Sequence, residues 1–323
     1  MEEKQLKNKF VNDIFLFSHY IKFLLIPGYH LDKTHSIELD YRTSNYKKRF
    51  NHRIRSPTFI IGIGIVLFLI TLAIFPHWIS PYTYKEITGY YYGAFSPPSI
   101  EHLFGTTRWG RDILSRLIFG SRASLIFIGI SNGLGFIFGI FIGAIAGYYG
   151  GWLDTIIMRI MNIIQSFPGV IFAITVLFIY GGSFLNVIIV FSIISIPYFA
   201  TAIRTSVLKQ KENLYIASAK IAGAGNFRII FRHILPNSIK YIIVVFSFNC
   251  CRILLDLTVI AFFRITDPSW IDWGNEIYVA LDHIYDAPSA IIFPSLMVVI
   301  SILGFLLTGD ALRDAFAIKD DTF

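Results

Sequence analysis

The sequence predicts an all-α membrane protein with six transmembrane helices, and three observations predict it. Hydrophobic residues make up 54% of the 323-residue chain and charged residues only 15%, where a soluble domain carries about a quarter charged. Six apolar runs approach or exceed the roughly 20 residues that a helix needs to cross hydrocarbon. The basic residues collect in the N-terminal arm and in the segments joining those runs, as membrane orientation requires. The net charge of +7 also raises nucleic acid as a partner, but no nucleic-acid-binding motif accompanies it. The membrane is therefore the partner that the composition predicts.

Several chemistries find no support. Cys250 and Cys251 are adjacent within an apolar run. Consecutive helical positions point about 100° apart, so they read as packing residues and not as a disulfide. The eight histidines are scattered, without metal-ligand spacing, so no metal site is predicted. No lysine follows a glycine, which removes a Walker A loop. ATP, if it drives this protein, binds another chain.

Taken in order, residues 1–56 form a basic arm, densest at Lys47-Lys48-Arg49 and Arg53/Arg55. Its apolar stretch Ile14 to Ile26 is too short to span and reads as an interfacial helix ended by Pro27-Gly28. A cleaved signal peptide is the alternative, but no small-x-small site follows it. The first span is Phe59 to Ile79, and the positive arm before it places the arm in the cytoplasm. An external segment follows, so that 57–122 comprises one helix and its outer extension. Arg111 within it pairs with Asp112 or with another carboxylate.

The five-helix core covers 123–310. Its first helix, Ala123 to Gly147, carries Gly129/Gly133 and Gly135/Gly139/Gly143/Gly147, each four apart. Such ladders let membrane helices pack backbone to backbone. Ile156 to Tyr180 is the third span, kinked at Pro168-Gly169, and Phe184 to Ala202 the fourth, with Pro197 inside. The fifth, Ile239 to Phe263, holds Asn249, Arg252 and Asp256. Ionisable residues inside a membrane face a bundle interior or a cavity. Arg252 and Asp256, four apart, form either a pathway lining or a structural ion pair. Residues 264–288 are acidic, the sixth span is Ala290 to Leu307, and 311–323 form a short tail.

Residues 213–237 interrupt the apolar pattern with a basic segment whose neighbourhood has one acidic residue, Glu212, between Arg204 and Lys240. Leu214 to Ala222 is helix-compatible, and Ser218/Ala222 and Ala219/Gly223 place small residues on one face. Gly223-Ala224-Gly225 then ends the helix. Asn226 is suited to cap a second helix from Phe227, and Pro236 to open the next.

This segment resembles the cytoplasmic coupling loop of permease subunits of ATP-binding-cassette (ABC) importers, most closely the oligopeptide/dipeptide/nickel branch. The matching residues are Tyr215, Ala219, Gly223, Arg228, Arg232, His233, Leu235, Pro236 and Asn237. Ala217 replaces the motif's acidic residue and Ser218 its first alanine. A second signature of the branch is matched by Gly105-Thr106-Thr107-Arg108-Trp109-Gly110-Arg111-Asp112, Ser115-Arg116, Gly120, Arg122 and Ser124, with Thr107 in place of an aspartate. Tyr149 to Asp154, Met158-Arg159 and Gly309 to Asp314 continue the pattern, and Asn162 departs from it. Phe262, Trp273 and Gly274 match an outer segment whose two glycines are Arg264 and Thr266 here.

The resemblance covers residues 57–316. It implies a type I ABC-importer permease fold, the C-type member of a permease pair, with both termini cytoplasmic in a bacterial cytoplasmic membrane. The implied partners are a second permease, two ATPase subunits carrying ATP and magnesium, and an extracytoplasmic solute-binding protein. This chain would bind no cofactor and catalyse nothing. Tyr215, Ala219, Gly223, Arg228 and Arg232 would dock on the ATPase. The cargo would be a dipeptide or oligopeptide, or alternatively nickel or a metal chelate. Outside the resemblance, an ATP-independent secondary transporter remains the competing class, with Arg252/Asp256 at its centre, and a membrane scaffold without a transport role the third. Whether the departures at Thr107, Ala217, Arg264 and Thr266 impair or retune activity stays open.

Overall fold

The computed structural model describes residues 56–89, 93–267 and 270–316. The basic arm with its expected interfacial helix, Pro268 and the end of the tail lie outside these. Among the described residues, five helices are long and apolar enough to cross a membrane, or six crossings if one bent pair counts as a span. The chain is a multi-pass membrane protein.

Helix α1 (Pro57–Ile74) starts on Ser56, whose Oγ accepts the Phe59 N–H at 3.3 Å. It stops short of the expected Ile79. Pro76 cannot donate to the ladder and disfavours helix before it, so Pro76–Ile79 forms a separate turn, α2. Helix α3 (Tyr84–Thr88) is held by a capping box between Thr83 and Glu86. Helix α4 (Ile113–Tyr149) has 37 residues, about 55 Å at 1.5 Å per residue. It exceeds the thickness of a bilayer's hydrocarbon layer and extends the expected span mainly at its N-terminal end, from Ala123 back to Ile113.

The expected third span is two helices, α5 (Gly151–Ser166) and α6 (Gly169–Tyr180), bent by 80° at the break. The sequence predicts a kink here; the structure has a break. Phe167 is extended before Pro168 (φ −86°, ψ 133°), as a residue preceding proline prefers. Helix α7 (Phe184–Lys211) runs well past Ala202 and contains buried Pro197. After the short α8 (Leu214–Ile221) comes α9, Asn226–Phe262, with a π-helical turn at Ile229–Ile234. Pro236 stands in the first turn of the α-helical part, Leu235–Phe262, as expected, but that part runs on from the π turn without a break. In that looser turn Leu235 N–H bonds Ile230 O, five residues back. Helices α10 (Trp273–Ala280) and α11 (Ser289–Phe316) complete the order, α11 continuing beyond Leu307.

Small residues bring α4 and α7 together. A Cβ added at Gly135 would strike Ser195 Cβ, at Gly139 would lie 2.5 Å from Phe199 Cβ, and at Gly143 would strike the Ala200 carbonyl. At Gly147 it would lie 3.0 Å from Arg204 O. Gly129 and Gly133 share the spacing but have nothing within 4 Å; they belong to the open face of α4. Gly62 packs on Thr308 and Gly304 on Ile65, which seats α1 on α11. The core between the helices is aromatic and aliphatic, with Phe127, Phe191, Leu177, Ile253 and Trp273 buried. A second apolar cluster of Tyr148, Ile203, Val207, Ile216, Ile229 and Ile234 lies at the α8 end.

Candidate coupling site

Helix α8 is eight residues long, below the length at which helices persist alone, so tertiary contacts hold it. Ile216 is its buried residue and enters the second apolar cluster. Tyr215 Oη donates to Gln210 Oε1 at 2.7 Å, and Asn237 Nδ2 reaches Tyr215 Oη at 3.4 Å. Gly223 follows at φ +78°, the left-handed conformation that ends helices, with nothing within 4 Å of an added Cβ. Asn226 does not cap the following helix: Gly225 holds that position, and Asn226 Oδ1 accepts from Tyr148 Oη at 2.8 Å. Lys211 Nζ donates to Tyr148 O at 2.6 Å. Two turns back along α7, Arg204 grips Asp154 with two bonds of 2.5 and 2.7 Å, tying α7 to α5.

The outer face of this segment is apolar. Leu214, Ile221 and Phe227 are 85%, 89% and 75% exposed. Arg228 and Arg232 are exposed beside them, and Ala219 is half-buried. The three apolar residues escaped the sequence reading, although Leu214 and Ile221, seven apart, signal one helical face in an otherwise polar stretch.

The opposite end of the bundle is a polar cap. Asp112 starts α4, accepting from Ser115 N (2.8 Å) and Ser115 Oγ (2.6 Å), with His102 Nδ1 at 3.1 Å. Arg111 Nε and Nη2 donate to the carbonyls of Gly89 (2.7 Å) and Thr88 (2.9 Å), at the C-terminal end of α3. Thr107 Oγ1 accepts the N–H groups of Trp109 and Arg111, each at 3.4 Å, a role the replaced aspartate would also fill. Buried Arg116 is ion-paired to buried Glu276, its Nε donating to Oε1 at 2.9 Å, and its Nη1 donates to Ile87 O at 2.6 Å. Trp273 Nε1 donates to Leu117 O at 3.1 Å above Gly120. Asp272 caps α10 through Asn275 N (2.8 Å), while its Oδ2 has no partner. Burial pushes its carboxyl up to about 7. Neither Glu276 nor Asp272 stood out in the sequence.

Arg252 and Asp256 form an i,i+4 pair with Nε and Oδ2 3.7 Å apart. The guanidinium borders the α5–α6 break, where a Cβ on Gly169 would lie 2.9 Å from Nη2. Asn249 is set apart from the pair. It is buried, donating to Asn132 Oδ1 (2.7 Å) and Ser195 Oγ (3.1 Å) between α4 and α7. Arg264 stands where the resembling family has glycine, and its backbone is left-handed at φ +57°. Its guanidinium lies 5.3 Å above the Tyr278 ring. Alanine there would keep the strain and lose the ring contact. Arg264→Gly is therefore expected to be more stable than Arg264→Ala by about 1 kcal/mol, inverting the usual order; thermal unfolding in detergent checks it, and alanine at or above glycine would refute it.

Comparison with known proteins agrees with this architecture. Residues 139–319 match the family model described as binding-protein-dependent transport system inner membrane component. Residues 53–98 match the N-terminal transmembrane domain of oligopeptide transport permease C. The chain is 35% identical to the dipeptide transport system permease protein DppC of Alkalihalophilus pseudofirmus, over 84% of this chain and 89% of that protein. It is 38% identical to the glutathione transport system permease protein GsiD of Pectobacterium atrosepticum, over 77% and 83%. Among solved structures, the MetNI methionine ABC transporter in inward-facing form shares the fold at a TM-score of 0.54, with 17% identity over 63% of this chain and 96% of that one. With a family model covering more than half of it and relatives aligned along most of its length, the chain belongs to the binding-protein-dependent transport system inner membrane components, as a C-type permease subunit of an ABC importer.

Proposed function

We propose that this chain forms half of the translocation pathway of an importer for dipeptides or oligopeptides in a bacterial cytoplasmic membrane, both termini lying in the cytoplasm. The named relatives, one a dipeptide and one a glutathione permease, support a peptide cargo. A second related permease completes the pathway, two ATPase subunits hold ATP and magnesium, and an extracytoplasmic binding protein delivers the cargo. The observation that carries the coupling role is the exposed apolar face Leu214/Ile221/Phe227 on a helix fixed from beneath by Ile216. Such a face on a short helix fits a hydrophobic groove on a partner. Tyr215 and Ala219 support the docking helix, Gly223 lets the chain turn beneath the partner, and Arg228 and Arg232 supply cations at the rim. Closure of the ATPase pair then moves α8, and with it α7 and α9, as one lever between two states.

Copurification tests this reading. The wild-type chain, extracted gently from its host membrane, is expected to bring two ATPase subunits and a second permease. Ile221→Asp alters an exposed position and is expected to leave the chain folded while cutting ATPase recovery about tenfold, the ~1.4 kcal/mol or more that one buried apolar anchor supplies. Gly223→Arg is expected to cut it as well, but also forces a side chain onto the left-handed backbone at φ +78°. A wild-type chain that recovers no ATPase, or an Ile221→Asp chain that recovers as much as wild type, would sink the proposal.

A further inference from the structure

A cleft of about 580 Å³ opens at the capped end of the bundle, lined by His77, Tyr84, Arg122, Ile126, Phe184 and Trp270 among others. Its walls are aromatic: Phe119 meets His77 and Tyr84 edge to face, and Trp270 meets Phe184 at 5.1 Å. Arg122, exposed on the third turn of α4, has no hydrogen-bond or ion-pair partner among the described residues. The apolar run of α4 starts at Ala123 and continues to Gly147, long enough to cross the roughly 30 Å hydrocarbon layer, so Arg122 stands at its polar boundary, near headgroup depth. A cation among tyrosine and tryptophan at that depth is the composition of a membrane interface.

Beyond the cleft, which ends on α4 at Ile126, the same helix keeps an exposed apolar face. Ile126, Ile130 and Ile137 are 45%, 42% and 49% exposed. Between them Gly129 and Gly133 have nothing within 4 Å of an added Cβ. Steps of three and four keep Arg122, Ile126, Gly129, Gly133 and Ile137 on one face. The result is a free cation at the top of a shallow apolar furrow.

We propose that this furrow is a binding site for an anionic phospholipid, its phosphate on Arg122 beside His77 and an acyl chain lying over Gly129 and Gly133. Charge selects the headgroup, and the furrow selects a lipid over free phosphate. It also gives Gly129 and Gly133 a use that helix packing does not, since α7 meets the other glycine ladder.

Native mass spectrometry of the full chain, released from detergent after incubation with each probe, tests the site. The probes are dioleoylphosphatidylglycerol, dioleoylphosphatidylcholine and glycerol phosphate. Phosphatidylglycerol adducts are expected to exceed phosphatidylcholine adducts about fivefold, the contribution of one basic residue near an anionic headgroup. Arg122→Gln is expected to abolish that preference and Arg122→Lys to retain it. Gly133→Leu, at a position with nothing within 4 Å of an added Cβ, is expected to fill the furrow and weaken both lipids; retained thermal unfolding in each variant shows that the fold survives. An undiminished preference in Arg122→Gln, lipid binding unchanged in Gly133→Leu, or glycerol phosphate bound as well as the lipid would each overturn the proposal. So would the second permease covering this face in the assembled importer.

Discussion

Glu276→Ala is expected to destabilise the protein by about 3–5 kcal/mol, because it leaves the Arg116 guanidinium buried without its counterion. Both side chains are 4% exposed, and Ile87 O is the other acceptor that Arg116 retains. The pair bridges α4 and α10, and through Ile87 it reaches α3, so its loss should loosen the whole cap. Replacing both partners with apolar residues of similar volume, Arg116→Met with Glu276→Leu, is expected to recover most of the loss, since the desolvation of both charges disappears with them. Thermal unfolding in detergent of the single and double variants gives the comparison. A single variant within about 1 kcal/mol of wild type would mean that water reaches the guanidinium and that the pair behaves as a surface bridge.

The ABC-importer class was legible because its signals are local. A run of apolar residues reports a span whatever its neighbours, and glycines every fourth residue report a close helix contact whose partner need not be known. Yet the period alone does not say which face is packed. Gly129/Gly133 and Gly135 to Gly147 look alike along the chain, and only the position of α7 distinguishes a packed ladder from an open one. Pro168-Gly169 announced a discontinuity, but its size depends on what α6 packs against. Pro236 marked the first turn of an α-helix correctly, but no local pattern announces the π turn that leads into it.

The pairings that fix the cap were illegible for a physical reason, although several of the residues were marked. Arg116 and Glu276 are 160 positions apart; Arg116 belongs to a matched signature that does not name its partner and Glu276 to none, so only folding makes them a pair. Asn226 was read as a cap because asparagine prefers that position, and the Tyr148 hydroxyl outcompeted it. Asn249 was grouped with Arg252 and Asp256 by proximity in sequence, whereas its neighbours are Asn132 and Ser195 across two helix interfaces. Family membership removes the ATP-independent carrier as the reading of Arg252/Asp256, and leaves the pair seated at the α5–α6 break. Arg264 is the departure the sequence marked correctly without its consequence, a left-handed backbone carrying a long side chain.

Asp272 yields the second large effect, and its sign follows from linkage. Burial raises its carboxyl to about 7 in the folded protein, against about 3.9 when unfolded. Below the unfolded value both states hold the proton, and the group does not affect stability. Between the two values the unfolded chain releases the proton while the folded chain keeps it, so stability falls as pH rises. Above about 7 the loss is complete. Asp272→Asn keeps an oxygen to accept from Asn275 N–H, as asparagine does at helix starts, and has no proton to lose. The stability difference between variant and wild type is therefore expected to move in favour of the variant by roughly 2–3 kcal/mol from about pH 5 to about pH 8. Thermal unfolding of both proteins across that range measures the difference directly, and the shared titrations of other groups cancel in it. A difference that stays flat with pH would mean that Asp272 ionises as easily in the fold as in water, and that the unpartnered Oδ2 is in contact with solvent.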